Sequence, residues 1–329
     1  MRNKEIGDFE YGNLSDVGQV RTENQDYYGR YEGSFGQLII VCDGMGGYEG
    51  GSIASRLAVE AIAEHFMQLG SHYDPRYELE QAYIMGQRKI KEQGQNRPEH
   101  QNMGTTAVVL LIRNGEYYFA NVGDSRLYLK RNTSLVQVSK DHSLVQDWLD
   151  SGVLTEEQAA EHPKRNIITK ALGTENFMPD INGPYPICKN DIFMLCTDGL
   201  YHYFSTEEMA KILETPPQQA CEKMVQIANS KGSDDNLTVQ IVKSNIGDRA
   251  ANPERSKRFR VWLWVLLASL TLMFSSLYYL GQPLLKLWQN YKGTRTGQVK
   301  QAERQEVKTP KIKAVEKDSI PNQTQEKDK

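Results

Sequence analysis

Cysteine is scarce and scattered in this chain: Cys42, Cys188, Cys196 and Cys221 form no close pair and have no histidine cluster beside them. That excludes a zinc ribbon and a disulfide framework. Three of the four sit in or beside apolar runs, where a small buried hydrophobe is the expected role. Charge of one sign is lacking too. Thirty-nine Lys and Arg against 42 Asp and Glu leave a formal net charge of -3, so no strongly basic face is implied and nucleic acid is not an expected partner. Glycines 44, 46, 47, 50 and 51 resemble a phosphate cradle, but the Lys-Ser/Thr that a nucleotide-binding P-loop needs does not follow them. Met1 to Glu10 is polar and charged, unlike a signal peptide.

Composition changes sharply along the chain. Residues 8–243 mix apolar strand-like runs with amphipathic helical ones, in the balance of a globular domain. Residues 244–260 are a polar, basic linker. From Val261 to Leu280 there is no charged residue; as a helix this run spans roughly 30 Å, the thickness of a bilayer's hydrocarbon core. Trp262 and Trp264 at one end, and Tyr278, Tyr279 and Trp288 at the other, suit the two membrane interfaces. Arg255, Lys257, Arg258 and Arg260 crowd the N-terminal flank, which by the positive-inside rule keeps residues 1–260 in the cytoplasm. The expectation is a single-pass protein of the cell membrane, touching lipid through residues 261–280. Residues 281–329 form a lysine- and glutamine-rich tail with too few apolar residues to fold alone.

Within the first section, the spacing predicts strands over Leu38 to Cys42, Thr105 to Ile112, Tyr117 to Val122, Leu127 to Leu129, Ile192 to Cys196 and Leu237 to Val242. Asn114-Gly115 between two of these is a hairpin signal, because both residues tolerate positive φ. Helical patterns occupy Ile53 to Gln68, Tyr77 to Gln93, Ser143 to Ser151 and Pro217 to Asn229. Strands in pairs with helices gathered between them give an α+β fold of antiparallel sheets covered by helices.

Four aspartates stand in short turns next to the strand-like runs: Asp43 in Asp43-Gly-Met-Gly-Gly47, Asp124 in Asn121-Val-Gly-Asp-Ser-Arg126, Asp198 in Thr197-Asp-Gly199 and Asp235 in Ser233-Asp-Asp-Asn236. Brought together they repel, each pair by about 4 kcal/mol at 4 Å and an effective dielectric of 20. Protonation or metal binding must relieve this. All-oxygen ligation selects magnesium, manganese or calcium over zinc, and a two-metal centre can activate a water for in-line attack on phosphorus. Arg21 is the candidate phosphate holder, since a guanidinium matches phosphate oxygens bidentately.

These segments, with Val17-Gly-x-x-Arg21 to Asp26, Gly104-Thr-Thr106 and Lys140-Asp-His142, occur in the order seen in metal-dependent serine/threonine protein phosphatases of type 2C, and in their Asp-Gly-Met-Gly-Gly form the chain resembles bacterial members. The resemblance covers residues 8–243. It implies a four-layer αββα sandwich of two antiparallel sheets flanked by helices, with two divalent cations, Mn2+ or Mg2+, at one end. By resemblance, Asp43 would bridge both cations, the Gly44 carbonyl would bind one, Asp198 and Asp235 would complete the pair, and Asp124 would join Asp198 at a third, looser site. Arg21 would hold the phosphate and Asp26 would orient water. Residues Leu144 to Leu172 resemble the flap beside the catalytic site. The partners implied are phosphorylated Ser/Thr proteins and a cognate Ser/Thr kinase. The chain departs from the family at two places: Met45 stands where many eukaryotic members have a histidine, so that acid does not carry over, and Gln25 replaces a glutamate. The alternative reading is a catalytically inactive scaffold or sensor that binds phosphoproteins; loss of a metal-binding aspartate or of Arg21 would favour it, and none is lost.

Overall fold

The computed structural model describes residues 9–46, 49–97 and 100–246. The span 261–280, the tail and all but the first three linker residues lie outside the described residues. Among the described residues, no helix is long and apolar enough to cross a membrane.

Among the described residues, eleven strands form two antiparallel sheets. One holds β1 (Phe9–Asp16), β7 (Arg126–Arg131), β8 (Ser134–Gln137), β10 (Ile192–Cys196) and β11 (Leu237–Ser244), in the order β1-β11-β10-β7-β8. The other holds β2 (Asp26–Gly33), β3 (Gly36–Met45), β5 (Ala107–Arg113), β6 (Glu116–Val122) and β9 (Asp180–Pro186), in the order β2-β3-β5-β6-β9, with the two-residue β4 (Gly104–Thr105) beside β3. Each predicted strand is present, the run from Thr105 to Ile112 being broken at Thr106 between β4 and β5. The hairpin turns at Asn114 (φ 54°) and Gly115 (φ 75°), as their freedom at positive φ implied.

The alternation of side chains explains why these strands read as unbroken apolar runs. Along β3, Leu38, Ile40 and Cys42 point to one face and pack against α1 (Gly50–Met67) and α2 (Pro75–Asn96) through Ala58, Ile62, Phe66 and Tyr83. Ile39 and Val41 point the other way and meet Phe193, Leu195 and Val242 of the opposite sheet. On the far side, Met194, Cys196, Val239 and Ile241 bury against the one-turn α5 (Asp198–Tyr201), α6 (Thr206–Ile212) and α7 (Pro217–Ser230). Both faces of each sheet are covered, so the alternating pattern of a half-exposed strand is erased. Each fully buried Leu, Ile or Val contributes roughly 1.5–3 kcal/mol. The αββα sandwich is therefore the arrangement expected from the sequence. Cys42, Cys196 and Cys221 are buried and Cys188 is exposed.

One end of the sandwich collects the functional segments. β2 starts at Asp26, opposite Asp43 near the end of β3. β6 ends at Val122 just before Asp124, β10 ends at Cys196 just before Asp198, and β11 starts at Leu237 just after Asp235. Strand ends from both sheets thus meet on one edge. Over it lies the flap, with α3 (Leu144–Asp150) and α4 (Glu156–Ala160), anchored by bridges between Ser143 and Ile168 and between Thr105 and Leu172.

Candidate active site

Asp26 and Asp124 are buried, while Asp43, Asp198 and Asp235 keep partial exposure on the side that faces solvent. Asp26 sits behind the others. Its Oδ2 accepts a hydrogen bond from Thr197 Oγ1 (2.8 Å), and its Oδ1 is buried without a partner. Burial pushes its carboxyl up to about 7, helped by Asp198 and Asp235 and opposed by hydrogen bonds from Thr238 and Thr197. Asp43 is raised well above the usual carboxylate range, first by desolvation among the strand ends and then by repulsion from Asp26, Asp198, Asp124 and Asp235. Its backbone is held on both sides: Thr106 N donates to its carbonyl (2.8 Å), Thr105 Oγ1 does the same (2.8 Å), and its own N–H donates to Thr106 Oγ1 (2.9 Å). Gly44 must be glycine, because a Cβ there would stand 2.1 Å from the Gly51 carbonyl oxygen.

The remaining carboxylates fall into distinct roles. Desolvation is the first cause raising Asp198, opposed by its neighbours Asp43 and the Gly199 backbone. Desolvation and then Asp198 raise Asp124 well above its usual range, and its Oδ1 is buried and unpartnered. Asp235, raised by burial, accepts from Asn236 N (2.8 Å) on one oxygen and pairs with Arg21 Nη2 (2.9 Å) on the other. The structure therefore brings Asp26, Asp43, Asp124, Asp198 and Asp235 into one electrostatically coupled cluster, with Arg21 half-exposed at its rim. Among the described residues no three of these side chains already close on a single point at ligand distance. Asp235 turns to Arg21 instead.

The donor set fits hard divalent cations. Two orphaned, buried carboxylate oxygens and raised proton affinities throughout the cluster mark uncompensated negative charge, and every available donor is oxygen. A cleft of about 820 Å³ runs from Asp124 between the flap and the sheet edge, past Arg126, Asp141, Arg165 and His202.

Two residues matter that the motif reading left in the background. Asn236 ties the arginine loop to the aspartate loop: its Oδ1 accepts from Gln25 N (2.8 Å), and its Nδ2 donates to the carbonyls of Val17 and Glu23 (both 2.9 Å). Its place next to Asp235 is the only sequence signal. Arg126 forks onto Asp141 (Nε to Oδ2 3.0 Å, Nη2 to Oδ2 2.7 Å) and stacks 3.6 Å over the Tyr201 ring, and Tyr201 in turn donates to the Asp124 carbonyl (3.2 Å). This buttress stands under the Asp124 turn. His142, with Lys170 and Asp180 beside it, contacts the same turn at Gly123. His65 pairs with Glu78 at 2.6 Å.

A family model described as protein phosphatase 2C matches residues 19–241. The chain belongs to the protein phosphatase 2C family. It is 36% identical over 240 residues to protein phosphatase PhpP of Streptococcus pneumoniae, a match that covers 71% of this chain and 97% of that one. Serine/threonine phosphatase Stp1 from Staphylococcus aureus superposes with a TM-score of 0.68 at 30% identity, over 73% of this chain and 96% of that chain. The catalytic domain of the phosphatase PstP, solved in complex with two manganese ions, superposes with a TM-score of 0.64 at 30% identity, over 72% of this chain and 98% of that chain. The chain is a metal-dependent protein serine/threonine phosphatase of the bacterial type, and Mn2+ or Mg2+ is the cofactor that its oxygen donors fit.

Proposed function

We propose that this phosphatase removes phosphate from phosphoserine and phosphothreonine in proteins with two divalent cations held by Asp43, the Gly44 carbonyl, Asp198 and Asp235. A third, looser cation would rest on Asp124 and Asp198. When bound, the pair supplies the positive charge that activates water and offsets charge on the phosphate. The observation carrying the reading is the coupled carboxylate cluster at one end of both sheets with a guanidinium at its rim.

The chain's own side chains take the remaining tasks. Arg21, half-exposed beside Asp235, is placed to accept a phosphate dianion by exchanging one carboxylate partner for another anion. Asp26, whose buried Oδ1 has no partner in the protein, is suited to accept from and orient a water. Met45 has no titratable proton, so the leaving-group proton comes from elsewhere. We further propose that residues 261–280 anchor the enzyme in the cell membrane with the catalytic domain in the cytoplasm, where it opposes a serine/threonine kinase.

The test is phosphate release by the purified full-length chain from a phosphothreonine peptide in Mn2+, in Mg2+ and in chelator. Release is expected with either metal, none in chelator, and a loss of several orders of magnitude in Asp43→Asn. Equal rates with and without chelator would overturn the two-cation reading. A folded, metal-loaded chain that released nothing would favour the phosphoprotein-binding scaffold.

A further inference from the structure

The turn that presents Asp124 is gripped by a side chain from neither of the strands it joins. Gly123 lies at φ +94°, where a Cβ would stand 2.5 Å from Thr106 Cγ2, so this peptide has one tight setting. Buried His142 holds it twice: the His142 N–H donates to the Gly123 carbonyl (2.9 Å), and the Gly123 N–H donates to His142 Nδ1 (3.2 Å). A nitrogen that accepts from an amide carries no proton, so the ring is neutral with its proton on Nε2. Asp180 Oδ2 stands 3.3 Å from Nε2 and is the acceptor for that proton. Lys170 Nζ lies 3.3 Å from Asp180 Oδ1 and 3.3 Å from Nε2. A lysine has no lone pair to offer, so Asp180 is the group that holds both neighbours. The Thr169 N–H donates to the His142 carbonyl (2.8 Å), which adds a backbone tie from the same segment.

These contacts join three parts of the fold. Thr169 and Lys170 are the return leg of the flap, Asp180 opens the edge strand β9, and Gly123 is the residue before Asp124. We propose that His142 is a positioning residue that ties the Asp124 turn to the return leg of the flap, with Asp180 selecting the ring tautomer that accepts from Gly123 and Lys170 holding Asp180 in place. A change in the flap's return leg is thereby felt at Asp124 without any contact between flap and cation. The inference rests on Asp124 being a ligand of the looser cation, as proposed above, and it assigns a cause for that site's affinity.

Three variants of the full-length chain test it: His142→Leu, which removes the acceptor; His142→Asn, whose amide oxygen can stand where Nδ1 stood; and Lys170→Met, on the partly exposed side of the cluster. The readouts are amide hydrogen exchange of the segment holding Gly123 in metal-free protein, and calorimetric titration with Mn2+ alone. His142→Leu is expected to speed exchange at Gly123 at least tenfold and to weaken the weakest Mn2+ step at least fivefold, with the tighter steps unchanged. His142→Asn should recover most of both effects, and Lys170→Met should fall between. Unchanged exchange in a folded His142→Leu protein would overturn the proposal, as would a His142→Asn protein no better than His142→Leu. If His142→Leu does not fold, unchanged exchange and Mn2+ binding in Lys170→Met overturn it equally. Asp124→Asn separates the two readings: if it leaves the weakest Mn2+ step intact, Asp124 is not the ligand, whatever the exchange data say about the clamp.

Discussion

At the scale of single residues, the site is an exercise in managing like charge. Arg21 pairs with Asp235, one of the carboxylates it stands beside, so substitution should act on phosphate binding more than on turnover. Arg21→Ala is expected to raise KM for a phosphopeptide by on the order of 10- to 100-fold, the worth of one or two charge-assisted hydrogen bonds, with a smaller change in kcat. Steady-state kinetics at saturating Mn2+ check this. Asp26 gives a second expectation. Burial lifts its carboxyl from 3.8 to about 7, so between these values the folded, metal-free protein binds a proton that the unfolded chain does not. Its contribution to stability is complete below the lower value and is lost as pH rises through the upper one. In chelator, the urea midpoint of wild type should therefore fall relative to Asp26→Asn as pH goes from about 4 to about 7. Parallel curves for the two proteins would contradict this. The aspartates were legible in sequence because each adjoins glycine or a polar turn at the end of an apolar run. Asn236 was not, since its work is done on the distant carbonyls of Val17 and Glu23. His142 was visible as part of a motif, but only the folded geometry turns it toward Gly123.

At the scale of elements, the strands that could be read from sequence are those buried on both faces, such as β3, β5 and β10. Those passed over are β1, β2, β8 and β9. The first two carry Gly, Asn, Asp and Tyr at alternate or exposed positions, and β9 contains Gly183-Pro184, a pair that normally marks a turn. Short helices were also missed: α4 is only five residues long, too short for a periodic pattern, and α4 and α6 are each fixed by a capping box, Thr155 with Gln158 and Ser205 with Glu208. α1 begins at Gly50, three residues before the first predicted helical position, because glycine gives no helical signal of its own. One of the overlooked strands yields a sharp expectation. A Cβ on Gly12 of β1 would lie 2.3 Å from the Pro217 carbonyl carbon at the start of α7, so strand and helix touch backbone to backbone. Gly12→Ala should cost about 1–3 kcal/mol in urea unfolding, with little change in kcat under conditions where the protein stays folded.

At the scale of the whole molecule, the expected divisions of the chain are tested by removal. Ending the chain after Ile246 leaves every described strand and helix intact, so the shortened protein should be soluble and match the full-length enzyme on a small phosphoester within a factor of about two, inside the range of an undisturbed site. Cell fractionation supplies the complementary result: the full-length chain is expected with the membranes and the shortened one in the soluble fraction. A full-length chain that stayed soluble would remove residues 261–280 as an anchor. Resemblance carried the sandwich and the site edge further than periodicity could, because the ordered motifs span both sheets, whereas periodicity reports one element at a time.

The first and last strands of the catalytic domain are neighbours, Phe9 opposite Ser244 and Asp16 opposite Leu237. The polypeptide is in effect a ring opened at one seam. A short peptide joining Ser244 to Phe9 would close it, and new ends could then be cut in an exposed turn such as Asn132 between β7 and β8, at the opposite end of β7 from the Asp124 turn. Such a circular permutant keeps every strand pairing and every ligand while changing the order in which they leave the ribosome. In the natural order β11, which completes the seam between β1 and β10, is made last. Synthesis must therefore run almost to the end of the domain before the sheet that carries Asp198 and Asp235 can close.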